Sequence, residues 1–141
     1  MIESDWVVAE PDELYRDNNK FSLSKETYEI IGLCMEIHRI LGKGFSEVVY
    51  KDALEYECRS QNITYSREKI FKVNYKGHFL PHSFTADFIV YEDIIIEIKA
   101  QKGLVDENVS QILNYLKVSK CPVGLLFNFG DDALRFKRYV F

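Results

Sequence analysis

Residues 84–101 read FTADFIVYEDIIIEIKAQ, the most apolar stretch of the chain, yet they carry Asp87, Glu97 and Lys99. Two apolar runs separated by Tyr91-Glu92-Asp93 predict two adjacent β-strands. A central strand excludes charge unless the charge is paired or at work, because desolvating an unpaired charge costs several kcal/mol. Glu97 and Lys99 are two apart and therefore share one face of their strand. A three-residue loop places Asp87 directly opposite Glu97. An even-numbered loop sends them to opposite faces, since a slip of one residue reverses every side chain. Loop length thus decides whether two carboxylates and an ammonium meet.

If they meet, two carboxylates a few ångströms apart repel unless a cation or a proton sits between them. Hard oxygen ligands select Mg²⁺ or Mn²⁺, which keep waters for substrate and nucleophile. Such an ion polarises a phosphoryl oxygen and lowers the pKa of bound water. Lys99 would orient or help deprotonate that water, or balance charge on the phosphate. The competing reading pairs Glu97 and Lys99 with each other or with neighbours on a solvated sheet edge. Three charges at this spacing do not by themselves separate the two.

The rest of the chain supplies a frame for the strands. At 141 residues, with 47% apolar and 28% charged residues, it has the size and composition of one globular domain. Residues 1–22 read as an acidic extension with one apolar patch at Trp6, Val7 and Val8, and residues 23–141 as the folded domain. Ser24 is the expected N-cap of a helix over 25–41, followed by a second helix over about 46–60 with Val49, Ala53, Leu54, Tyr56 and Cys58 inward. The period then changes to two, with a hairpin turn at Lys76-Gly77. A helix carrying Val109, Ile112, Leu113 and Leu116 inward, a short buried strand and an edge-like basic strand complete the order ααβββαββ. That order predicts an α/β sandwich around a mixed sheet.

Charge and cysteine content exclude some classes and leave others open. Net charge is −4, but seven acids lie in residues 1–26, and the remaining 15 acids are balanced by 15 bases. A neutral body neither selects nor excludes a polyanionic partner. Cys34, Cys58 and Cys121 form no CxxC pair, so buried thiols are expected rather than a zinc site or a disulfide framework. No apolar run is long enough to span a bilayer, and the N-terminus lacks the pattern of a signal peptide, so a cytoplasmic location and no membrane partner are expected.

The spacing D-x9-E-x-K between two apolar strands, followed by a helix with Gln111 and Tyr115, resembles the PD-(D/E)XK nuclease superfamily. The Q-x-x-x-Y pair is similar to that of its RecB/Cas4-like branch, although the four cysteines of the iron–sulfur members are missing. Upstream, GFSEVVY places Gly44, Glu47 and Tyr50 in a G-x-x-E-x-x-Y pattern that resembles the small prokaryotic GxxExxY proteins. The likeness covers residues 25–140 and implies a restriction-endonuclease-like core. It further implies Asp87 and Glu97 as metal ligands, Lys99 as the catalytic lysine, and Gln111 and Tyr115 as contacts to nucleic acid or supports of the site. Glu47 fits the acid that an early helix contributes to such metal sites, with Glu36 as second candidate.

Each of these residues also has a plainer reading. Glu47 suits the positive end of a helix dipole, Gly44 a turn, and Tyr50 packing. His38, His78 and His82 show no ligand spacing. Arg135, Lys137 and Arg138 either face a phosphate backbone or guard a sheet edge. The expected function is a Mg²⁺- or Mn²⁺-dependent nuclease acting on DNA rather than RNA, working as a homodimer or with a partner protein. The rival is a catalytically silent module of the same fold that binds nucleic acid or protein.

Overall fold

The computed structural model describes residues 7–8, 23–103 and 106–140. In chain order its elements are β1 (Val7–Val8), α1 (Ser24–Leu41), α2 (Glu47–Ser60), β2 (Tyr65–Tyr75), β3 (His78–Val90), β4 (Ile94–Lys99), α3 (Asp106–Ser119), β5 (Val123–Asn128) and β6 (Arg135–Val140). The strands form one sheet in the order β1-β6-β5-β4-β3-β2. From α1 onward the order is the expected ααβββαββ.

β4 pairs antiparallel with β3 and parallel with β5, which makes the sheet mixed and β4 central. The parallel step needs a crossover, and α3 supplies it. Helices cover both faces, so β4 up to Lys99 and all of β5 are continuously buried rather than alternating. Ile30, Ile31, Cys34 and Ile37 of α1 and Tyr50, Leu54 and Cys58 of α2 pack on one face against Phe88, Ile96, Ile98 and Leu125. Ile112, Tyr115 and Leu116 of α3 pack on the other against Ile89, Ile95 and Leu126.

Several local expectations change in the structure. Leu23, with φ 62°, takes the N-cap position of α1, and Ser24 is the first helical residue. Tyr56 is exposed, because the buried side of α2 runs through Tyr50, Leu54 and Cys58, one helical face away. β3 is longer than the expected strand because it includes the return arm of the hairpin, whose turn residues Lys76 and Gly77 both have positive φ. The β2–β3 ladder lapses between Lys72↔Ser83 and Asn74↔Phe79, around Pro81, which has no N–H to donate. Val7 and Val8 pair with Phe136 and Arg135; the rest of the expected acidic extension lies outside the described residues. Cys34, Cys58 and Cys121 are all buried and free.

Candidate active site

The β3–β4 connection settles the geometry on which the carboxylates depend. Val90 pairs with Ile94, Ile89 with Ile95 and Phe88 with Ile96, leaving a three-residue loop at 91–93. Tyr91 and Glu92 make the turn with φ of 52° and 63°. One step further along this register, Asp87 faces Glu97, and there side chains replace the ladder. Glu97 Oε1 accepts a hydrogen bond from the Asp87 N–H at 3.0 Å, and Asp87 Oδ2 accepts one from the Ile98 N–H at 2.8 Å. Both residues are buried, at 7% and 2% exposure.

Two buried carboxylates in contact cannot both carry full charge cheaply. Burial, and then the charge of Asp87, push the Glu97 carboxyl up to about 8, against the opposing pull of the Asp87 N–H and of Lys99. A residue not anticipated from the sequence supplies further compensation: Lys51 Nζ of α2 lies 2.7 Å from Asp87 Oδ1 and 3.4 Å from Glu68 Oε1. Burial works against the Lys51 charge, but the hydrogen bond and charge of Asp87 outweigh it and raise its pKa. Glu68, with φ 56°, is left out of the ladder between Arg67↔Phe88 and Lys69↔Ala86.

α3 brings the amide and the phenol to the same place. Gln111 Nε2 donates to Tyr115 Oη at 2.8 Å, as the i, i+4 spacing permits. Burial raises the pKa of the Tyr115 hydroxyl, and the charges of Glu97 and Asp87 raise it further, so the phenol stays protonated beside them. A cleft of about 720 Å³ opens between α3 and the sheet, lined by His82, Phe84, Lys99, Asn108, Gln111 and Tyr115. The helix approaches the sheet closely at Gly124, where a Cβ would meet Ile112 Cδ1 and Leu116 Cδ2 at 3.1 Å.

Residues 24–139 match the family model of the PD-(D/E)XK nuclease superfamily. The chain belongs to that superfamily. Its fold is also similar to that of SSO0001, known from a crystal structure, with a TM-score of 0.54 and 20% identity. That match takes in 92% of this chain and 61% of the other, so the chain spans less than two thirds of SSO0001, and the likeness is one of fold. No curated protein matches the chain significantly.

In this PD-(D/E)XK domain the lysine end of β4 is held from β5. The Asn128 side chain, fully buried, donates through Nδ2 to the Gln101 carbonyl at 2.9 Å and accepts at Oδ1 from the N–H groups of Gln101 and Gly130. The Lys99 carbonyl accepts from the Phe129 N–H at 2.8 Å. Gly130 is pressed so close that a Cβ there would lie 2.3 Å from the Gln101 oxygen. Lys99 is therefore fixed from both strands while its side chain lines the cleft.

The remaining sequence candidates fall outside this cluster or at its rim. Glu47 is the first residue of α2, four before Lys51. Among the described residues no three His, Cys, Asp or Glu side chains are grouped so as to hold a metal ion, so Glu47 does not close a set with Asp87 and Glu97. Glu36 instead pairs with Arg39 on the surface of α1. Gly44 has φ 111°, and Tyr50 is fully buried, stacks on Phe129 and donates to the Gly42 carbonyl, a packing role. Lys137, read as a candidate phosphate contact, is buried with its ammonium 5.9 Å from the Tyr139 ring. A PD-(D/E)XK ion would nonetheless suit the donors that do converge: two buried carboxylates in contact, only one of them paired with an ammonium, match a hard divalent cation that binds through one or two carboxylates and keeps its waters.

Proposed function

We propose that the chain is a Mg²⁺- or Mn²⁺-dependent nuclease that hydrolyses phosphodiester bonds in DNA in preference to RNA, in a prokaryotic cytoplasm. The observation that carries this reading is the pair of buried carboxylates, Asp87 and Glu97, each accepting a backbone N–H from the other's strand, with Lys99 two residues beyond Glu97 on the same face. Asp87 and Glu97 would hold the ion. When bound, the ion supplies Lewis acidity and a water of lowered pKa. Lys99 orients the attacking water and offsets charge at the phosphate. Gln111 and Tyr115 hold the cleft wall and offer an amide and a hydroxyl to the backbone of the nucleic acid. The G-x-x-E-x-x-Y stretch supports placement among GxxExxY proteins. With a charge-balanced body, few phosphates are neutralised, which favours action as a homodimer or with a partner protein.

A second reading, a silent module that binds nucleic acid or protein, is favoured by the Lys51 ammonium at 2.7 Å from Asp87 Oδ1, a built-in cation where an ion would otherwise bind. Titration of Mn²⁺ and Mg²⁺ into wild type and Asp87→Ala, with cleavage of single- and double-stranded DNA followed in parallel, separates the two. The nuclease reading expects metal binding and cleavage to disappear together in the variant. Wild type that binds no divalent ion sinks it.

A further inference from the structure

The β2–β3 hairpin reaches beyond the body that supports it. Phe71 and Phe84 face each other across the ladder and pack on the α3 cluster. Past them the strands run on to the Lys76-Gly77 turn, four more residues of β2 or about 14 Å at the strand rise. Residues 69–86 contain Lys69, Lys72, Lys76, His78 and His82 but no Asp or Glu, in a chain whose net charge is −4. All five of those basic side chains are exposed. Among them stand Ile70 at 57% exposure, Tyr75 at 57% and Phe79 at 67%. The Lys76 ammonium lies 5.5 Å over the Tyr75 ring. At its base the arm enters the cleft, whose wall includes His82, Ser83 and Phe84 alongside Lys99.

We infer that this arm is a docking surface for single-stranded nucleic acid that leads into the cleft, a reading that rests on the nuclease proposal and narrows its substrate. Exposed rings interleaved with lysines suit a strand whose bases are free to stack while its phosphates are neutralised. A duplex hides its base faces and leaves the rings without a partner. A second copy seated on the same arm would set lysines against lysines with no acid between them. Charge complementarity therefore favours a polyanion.

The test is fluorescence anisotropy with labelled oligothymidylate of about 20 nucleotides in chelator, so that binding is read without cleavage. Lys69→Ala/Lys72→Ala/Lys76→Ala should flatten the dependence of log affinity on log salt by about 2, as three phosphate contacts require. Tyr75→Ala/Phe79→Ala should weaken binding by about tenfold or more and leave that slope unchanged. Wild-type affinity in both variants, or equal competition by a duplex, overturns the inference. So does a change from dimer to monomer in the aromatic variant with binding intact. Mn²⁺ titration of the same proteins keeps the two readings apart: arm variants should retain metal binding, whereas wild type without it defeats the catalytic reading and leaves the anisotropy result to judge the arm.

Discussion

Asp87 and Glu97 each accept a hydrogen bond from a backbone N–H on the other's strand, at 2.8 and 3.0 Å respectively. The pair thus closes the end of the β3–β4 ladder and presents two carboxylates at once. Asp87→Asn keeps an oxygen for the Ile98 N–H and removes the charge. The variant should fold with a small shift in thermal midpoint in chelator while losing Mn²⁺ binding and cleavage. Wild-type metal affinity in this variant, measured by calorimetry, would remove Asp87 from the ligands.

The elevated Glu97 pKa has a sign that can be checked. In the folded state the carboxyl keeps its proton up to about pH 8, while in the unfolded chain it loses it in the ordinary carboxylate range. Folding is then most favoured, as far as this group is concerned, below that ordinary range, and the contribution is lost as pH rises towards about 8. Thermal melts in chelator should show the decline for wild type and not for Glu97→Gln. Metal binding has the opposite trend, because the proton must leave: affinity should rise with pH up to about 8, with proton release visible in buffers of different ionisation enthalpy.

Lys51 occupies an oxygen of Asp87 that a bound divalent ion would also claim. Lys51→Met keeps the stem that packs on α2's surroundings and removes the ammonium, leaving the Asp87 charge less compensated. Denaturant unfolding in chelator should show a loss of about 1–3 kcal/mol. Saturating Mn²⁺ should restore most of it, and the variant should bind Mn²⁺ more tightly than wild type. Weaker binding would instead make Lys51 a support of the ion's site.

Gly130→Ala tests the clamp on the lysine end of β4. The added methyl meets the Gln101 backbone at 2.3 Å, so one strand end must move. A cost of about 1–3 kcal/mol is expected, as for other overpacked sites. Cleavage should fall more than Mn²⁺ affinity, since the displacement falls nearer Lys99 than the carboxylates. Equal losses in both would mean that the whole sheet end shifts.

The elements that were legible in the sequence are those governed by a strict period. The two-residue side-chain period of any strand and the odd loop at 91–93 are enough to bring Asp87 to Glu97, and i, i+4 spacing is enough to pair Gln111 with Tyr115. The superfamily and its mixed sheet follow from the same blocks in order. Lys51 and Glu68 were not legible, because their approach to Asp87 depends on how α2 crosses β3 and on a left-handed residue inside a strand. Tyr56 was misplaced because two apolar faces compete on α2, and only packing against the sheet chooses between them. Lys137 reads as a surface cation in an alternating strand, yet the depth of β6 beside β5 buries it.

The contacts that surround β4 differ greatly in the length of chain they close. Asp87 meets Ile98 across 11 residues of sequence, whereas Asn128 meets Gln101 across 27. Loop-closure entropy alone makes the second contact about 1 kcal/mol harder to form. The acidic half of the site should therefore assemble early in folding, and the lysine half only when β5 docks after its helical crossover. Pulse-labelled hydrogen exchange during refolding should protect the Ile98 amide before that of Gln101. A nascent chain halted ahead of β5 would then own its pair of carboxylates before it had a fixed lysine to use with them, a separation in time of two groups that sit two residues apart.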